Sequence, residues 1–510
     1  MTRGLVRNTM LGSAAGAVTT IATFVSGVAI ARLIGPDGTG AVAYGMWCVA
    51  VAVTIVDLGA GTVLKRFVPD LTARGDEDGA RRLAGSLARS RALALLPAGL
   101  LLVLWLQLGG RDGEDGRTFA DPLLAGLLVA AFAGQAMGSL YTAYLKGSQR
   151  FGLVARLSLA AAAVQVVAVG FGAWQFGVTG ALGGYVAASL IAALLGSRML
   201  LQRGPVTADL QPRIRRFALA SWSAAVIGGL VWTRSEILFL EAYGGLTAVG
   251  FFAAAATLTA MATALPILLT GALLPYFSEQ HSRKQRSQMQ AVYSAMTLIV
   301  ALIVLPGCFG MAAIAPVLVP LLFGPSFAAA VPVAMVLLIP AAAGVVGAVN
   351  PTLIYGMEKS SILLYSNLAG LAGMICLGLL VIPSFGLMGA AWSRAAVHVG
   401  VVAIETWYVS RTLGFAPPFR ALAVVSAASA LSGLTAYLLV LAISGPLSLL
   451  VAIPSAMLAF GLAIRVLGVL PMVDTELLRR ASAQGPRGAE RFIERLICFL
   501  TPPRARAQHG

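Results

Sequence analysis

Apolar runs of about 20 residues, each long enough to cross ~30 Å of hydrocarbon as a helix, recur along this chain from its beginning to the neighbourhood of residue 470. They lie near 8–32, 40–64, 86–109, 120–145, 151–173, 178–202, 216–240, 246–274, 289–313, 327–356, 361–382, 386–410, 420–443 and 446–469. With 58% hydrophobic and 11% charged residues, the chain has too little polar surface to cover a soluble core of this length. The runs are continuous Ala, Leu, Val and Gly with no alternation, which excludes barrel strands. The sequence therefore predicts an all-α polytopic membrane protein with about fourteen transmembrane helices. Only 303–345, which holds six prolines, admits a different division.

Charge orients the spans, because Lys and Arg collect in cytoplasmic loops. With the N-terminus inside, all but five of the 36 basic residues (Arg32, Arg111, Arg117, Arg234 and Arg394) fall in inner segments, which predicts cytoplasmic termini. The net charge of +16 is thus distributed between spans and forms no nucleic-acid stripe. The first run is too long for a signal-peptide core and is retained as a span. The four cysteines are scattered, with no disulfide or metal-ligand spacing. A phosphate loop of the G-x-x-x-x-G-K-[ST] form is absent, as is any catalytic triad or H-E-x-x-H motif, so a carrier without cofactor or metal is expected.

The segment "QFGVTGALGG" (175–184) is written again as "SFGLMGAAWS" (384–393), 209 residues later. The same shift lays Gly35 on Gly244 and Gly147 on Gly356, with Arg150 on Lys359. Six spans separate the copies, so both enter the membrane in one direction and are related by an axis along the membrane normal. The expected architecture is two pseudo-symmetric six-helix lobes (1–205 and 214–412) and two additional helices (420–469). A cytoplasmic tail (470–510) carries the amphipathic "GAERFIERLICFL", suited to the inner interface and its anionic lipids.

The stretch "ARLIGPDGTGAVAYGMWCVAVAVTIVDLGAGTVLKRFV" resembles the opening of bacterial polysaccharide and oligosaccharide flippases of the multidrug/oligosaccharidyl-lipid/polysaccharide exporter superfamily. Those proteins show a basic residue, Leu-Gly-Pro and a Gly at the first outer turn, then Asp-Leu-Gly near the inner end of span two. "LLFGPSF" and "PSFGLMGAAWS" resemble their later segments. The resemblance implies a translocase for lipid-linked glycans in the bacterial cytoplasmic membrane, with two lobes opening alternately to each side. Glycan polymerases or glycosyltransferases are the protein partners it implies.

Ionisable side chains inside a bilayer need a partner or a wet cavity and are the best functional candidates. On span twelve Arg394, His398 and Glu405 are spaced to share one face, either as a cavity wall for phosphate and sugar or as a helix-packing stripe. In "WTRSEILFLE", Arg234 and Glu241, seven apart, share a face, whereas Glu236 points elsewhere. Arg234 offers a planar fork of N–H donors to phosphate oxygens, or else anchors a rim. Asp57 and Arg32 match the resemblance's signature and sit near helix ends, where a gating or structural role is expected. Asn350, Asn367, Gln135 and Gln165 are expected to hydrogen-bond between helices.

Three alternatives stay open at this stage. A peptidoglycan-precursor flippase of the same superfamily is disfavoured because nothing charged occurs between Arg7 and Arg32. A cation-coupled multidrug exporter would favour an acidic cavity, and here acids and bases nearly balance. A membrane scaffold for glycan assembly enzymes is the reading of another class. Transport could be driven by the membrane potential acting on an anionic head group, or by protons through His398, Glu405 or Asp57.

Overall fold

A computed structural model describes residues 2–108, 119, 121–204, 211–270, 273–443 and 445–467 of the protein. The loop with Arg111 and Arg117, expected outside, and the tail expected to be amphipathic lie outside the described residues. Among those described there is no strand. The helices are α1 (Thr2–Val56), α2 (Ala60–Ala73), α3 (Glu77–Leu108), α4 (Pro122–Gly147), α5 (Phe151–Ser197), α6 (Gln211–Trp232), α7 (Glu236–Thr270) and α8 (Leu273–Ser282). They continue with α9 (Arg286–Phe323), α10 (Ala330–Val346), α11 (Val349–Gly356), α12 (Ser361–Leu380), α13 (Ile382–Arg411), α14 (Phe419–Ala442) and α15 (Ser448–Leu467).

Eleven helical stretches among the described residues are long and apolar enough to cross a membrane. Three of them, Ala14–Val56, Phe151–Leu201 and Gln211–Ala264, are too long for one crossing: the last, at 54 residues, would run ~80 Å if straight. Each contains one glycine in a conformation closed to side chains, Gly35 (φ 70°) in α1, Gly177 (φ 61°) in α5 and Gly245 (φ 71°) in α7, and the helix breaks there. Within α5 the two arms then pack together at Gly172 and Gly180, where neither position has room for a methyl group. Division at these glycines yields the fourteen crossing segments expected from the sequence. In the proline-rich stretch, α9 runs unbroken through Pro306, Pro316 and Pro320 and stops at Gly324.

The repeat is visible in backbone geometry. Gly177 (φ 61°, ψ −134°) and Gly386 (φ 53°, ψ −128°) adopt one conformation 209 residues apart. Further turns repeat at the same shift: Arg150 N–H donates to Leu145 O at 2.9 Å and Lys359 N–H to Ile354 O at 3.1 Å, with Gln149 (φ 55°) and Glu358 (φ 59°) both left-handed. Asp76 N–H to Leu71 O and Gln285 N–H to Gln280 O form a second pair, both 3.0 Å. At the turn holding Gly35 the register differs. The glycine matching Gly35 is Gly245, not Gly244, a shift of 210 here against 209 at the later turns. The corrected shift of 210 makes a reciprocal contact intelligible: a methyl group at Gly40 would overlap the Leu246 carbonyl, and one at Gly250 would overlap the Pro36 carbonyl. Each half of this contact is the other under the shift, and Thr247 Oγ1, the counterpart of Asp37, donates to Asp37 Oδ1.

The chain forms two compact units, Met1–Thr257 with Asn367–Arg394, and Leu258–Ser366 with Ala395–Gly510. In the first, α2, α3 and α4 bury Val63, Leu64, Phe67, Leu83, Ala88 and Leu140 against one another. Gly147 brings the end of α4 onto the Leu64 carbonyl, 2.6 Å from where a Cβ would stand. In the second, α9 is the central helix, flanked by α10 and α14. Its Tyr293 hydroxyl donates to Asn350 Oδ1 (2.8 Å), and Asn350 Nδ2 donates to Thr406 Oγ1 (2.9 Å). α14 lies on α9 through Gly433 and on α15 through Ser432 Oγ, which donates to Ala456 O at 2.7 Å.

Candidate functional site

In the first unit, polar chemistry concentrates where α6 stops inside an apolar span. Residues 233–235 interrupt the helix and Arg234 takes φ 63°, a left-handed conformation that costs a non-glycine residue roughly 1–2 kcal/mol. The break frees the last carbonyls of α6. Arg394 of α13 takes them: Nη1 donates to Val231 O (3.1 Å) and Nη2 to Trp232 O (3.3 Å). A cation at a helix C-terminus also complements the helix dipole. Glu236 opens α7, where negative charge is favoured, and accepts from Arg394 Nη1 at 3.3 Å through Oε1. Its side chain is 0% exposed and that of Arg394 18%. Arg234 Nη2 donates to Ala256 O at 3.3 Å, and its charge acts on both Arg394 and Glu236. Close by in sequence, Ser235 Oγ, Glu236 Oε2 and Ser393 Oγ are buried with no hydrogen-bond partner.

This geometry revises two expectations about spacing. The face shared by Arg234 and Glu241 requires an unbroken helix, and the break at 233–235 removes it. Glu241 is half-buried and lies near enough to Tyr44 and Cys48 to influence both electrostatically. Glu236, expected to point away from Arg234, bonds to Arg394, while Arg234 donates to Ala256 O.

A second buried ion pair joins α1 to α3. Asp57 ends α1 at the "DLGAG" break, and Arg91 Nη2 donates to both its backbone oxygen (3.3 Å) and its Oδ1. Arg91 Nη1 donates to Ala136 O (2.6 Å) and Ser139 Oγ (3.1 Å) on α4. The Arg91 side chain is 1% exposed and that of Asp57 27%. On sequence Arg91 groups with the loop cations, since its neighbours in "ARSRALALL" are basic. The one available signal is its place at the head of an apolar run. Asp57 is therefore clamped rather than merely snorkelling at a helix end. Arg32 is exposed, three residues before the Gly35 break.

On α13, His398 and Glu405 belong to the second unit, and their surroundings differ from those of Arg394. His398 fills a notch on α10, where a methyl group at Gly344 would overlap its Nε2. Glu405 is 5% exposed and accepts from Ser366 Oγ of α12 at 3.2 Å. The expected interhelical hydrogen bonds occur for Asn350, for Asn367, which accepts from Trp232 Nε1 at 3.0 Å, and for Gln165, which donates to Ser26 Oγ at 3.3 Å.

The second unit also contains a groove of about 640 Å³ between α9, α14 and α15. Leu302, Pro306, Ala436, Met457 and Phe460 line it, and its one hydroxyl, Ser432, is committed to Ala456 O. Such a surface solvates hydrocarbon and offers nothing to a charged ligand.

A family model described as "Polysaccharide biosynthesis protein" matches residues 5–281. Among solved structures, the lipid II flippase MurJ in an inward closed conformation superposes with a TM-score of 0.71 at 12% identity, covering 90% of this chain and 98% of its own. An inward-facing multidrug resistance transporter of the MATE family gives 0.64 at 14% identity, covering 78% of this chain and 95% of its own. A superfamily transporter from Pyrococcus furiosus, described as having a binding pocket of reversed polarity, gives 0.58 at 14% identity, covering 81% and 95%. A search of curated protein sequences returns no match. The structural likenesses establish the fold, and the family model spans more than half of the sequence. The chain is a multi-pass membrane protein that shares the fold of these structures and belongs to the polysaccharide biosynthesis protein family.

Proposed function

We propose that the protein moves a polyprenyl diphosphate-linked oligosaccharide from the inner to the outer leaflet of the bacterial cytoplasmic membrane, by alternating access, for cell-surface polysaccharide biosynthesis. The observation that carries this reading is the apolar groove on α14 and α15, which suits a hydrocarbon tail and has no use for a water-soluble cation. The MATE-family structure is matched over 95% of its own length yet leaves about a fifth of this chain uncovered, whereas the lipid II flippase structure covers 90% of it. Arg234 and Arg394 are the proposed phosphate contacts, presenting planar donor forks. His398 and Glu405 are proposed to face sugar or carry protons, and Asp57, Arg32, Glu236 and Glu241 to gate or couple. Both termini are placed in the cytoplasm, beside the transferases or polymerase that handle the glycan.

The membrane potential supplies a drive. Moving about two negative charges outward gains roughly 4–5 kcal/mol at 100 mV. Depletion of the protein followed by mass analysis of extracted lipids tests the substrate. Accumulated polyprenyl diphosphate oligosaccharide supports the proposal, whereas drug sensitivity with a normal lipid profile sinks it. The likeness to a lipid II flippase favours one second reading, a peptidoglycan precursor, which the same extract would reveal by mass.

A further inference from the structure

The Arg394–Glu236 pair is exposed on one side only. The Arg394 side chain keeps 18% of its surface open while that of Glu236 is sealed at 0%, so Arg394 is the member of the pair that an anion can approach. The bond is also loose. At 3.3 Å it is longer than the ~2.7–2.9 Å of a good charge-assisted hydrogen bond, it uses one carboxylate oxygen, and Oε2 is left without a partner. Arg394 makes two further bonds, both long, to carbonyls that carry no net charge. Arg234 stands close enough for like-charge repulsion, giving two guanidiniums to one carboxylate.

The fold itself does not require these charges, as the other copy of the repeat shows. Under the shifts of 209 and 210 residues, Arg394, Glu236 and Arg234 correspond to Tyr185, Ser26 and Phe24. There α1 runs through 24–26 without a break, and Ser26, as buried as Glu236, takes a hydrogen bond from Gln165. The second copy has exchanged a neutral hydrogen bond for a broken helix, a strained arginine and a weakly held ion pair.

We infer that Glu236 is a resident competitor for Arg394: it occupies the guanidinium while the site is empty and yields it to the diphosphate of the substrate. A diphosphate offers oxygens to Arg394 and Arg234 together, which the single Glu236 oxygen does not match. The carboxylate then pulls Arg394 back as the substrate leaves, so that binding stays reversible. This inference rests on the reading of Arg394 as a phosphate contact. It adds a role for a residue that the substrate does not touch.

The test uses the full-length protein in phosphatidylcholine nanodiscs, with undecaprenyl diphosphate as the probe and phosphatidylglycerol as a second anionic lipid, bound fractions being read by native mass spectrometry. Glu236→Gln keeps the shape of the side chain, and Glu236→Ser installs the residue that the other copy already buries. Either is expected to bind undecaprenyl diphosphate about tenfold tighter, an increment within the range measured for close charge pairs. Turnover in reconstituted vesicles should fall at the same time. A merely structural pair would lower both. Tighter binding with slower turnover therefore supports the inference, and unchanged or weaker binding in both variants overturns it. An equal gain for phosphatidylglycerol overturns the assignment to a diphosphate. Arg394→Gln separates the two layers: if it binds as wild type does, Arg394 is no phosphate contact and both proposals fall. If it binds at least tenfold weaker while neither Glu236 variant tightens, only the competitor role is lost.

Discussion

At the scale of single residues, two arginines perform the same structural task. Arg91 holds the end of α1 and Arg394 the end of α6, each by donating to freed carbonyls beside an acid. Their acids differ in exposure, and this decides what each mutation should cost. Removing one partner of a buried pair costs about 3–5 kcal/mol when the survivor stays buried and uncompensated. Asp57 is 27% exposed and can be hydrated alone, whereas Arg91 at 1% cannot. Asp57→Ala is therefore expected to destabilise the detergent-solubilised protein more than Arg91→Met, with the double variant recovering part of the loss. Thermal unfolding followed by size-exclusion chromatography measures this, and the reverse order would show that Arg91 is satisfied by Ala136 and Ser139 without Asp57. Arg234 tests the break itself. Asparagine tolerates left-handed backbone and valine does not, so Arg234→Asn should preserve folding while Arg234→Val loses roughly 1–2 kcal/mol.

At the scale of elements, the glycine turns were legible because glycine is the only residue that reverses a helix in these conformations, and the chain spells the turn the same way twice. Gly177 and Gly386 share their dihedral angles, and at both the space that a methyl group would take is open. Alanine at either position should cost a similar amount, about 1–3 kcal/mol of backbone strain, in the same thermal assay. Unequal costs would mean that the two turns are alike only in sequence. The different shift at Gly245 was hidden because "YGGL" offers two adjacent glycines, and only the backbone tells which one turns. The break at 233–235 gave no signal, since "WTRSE" contains neither glycine nor proline. Its cause is tertiary, in the Arg394 that rewards freed carbonyls. Arg91 was obscured by basic neighbours, and the groove on α14 and α15 by its composition, which is that of every other span.

At the scale of the whole molecule, apolar run length without alternation carried the fold class, and the repeat gave the turns, but neither could identify what crosses. Orientation is directly testable. Single cysteines at Gln149 and Glu358, in a background lacking the native four, should react with an impermeant thiol reagent only from the cytoplasmic side. Cysteines at Asp37 and Thr179 should react only from outside, and the opposite pattern would invert the proposed topology. Transport remains the central claim. Proteoliposomes holding the purified protein and a fluorescent polyprenyl diphosphate disaccharide, with an inside-negative potential imposed and an impermeant reductant added outside, report how much probe reaches the outer leaflet. The account predicts that more than half of the inner-leaflet probe moves outward, faster as the potential grows, and that Arg394→Gln stops it. Movement equal to that in protein-free vesicles, at every potential, would contradict it.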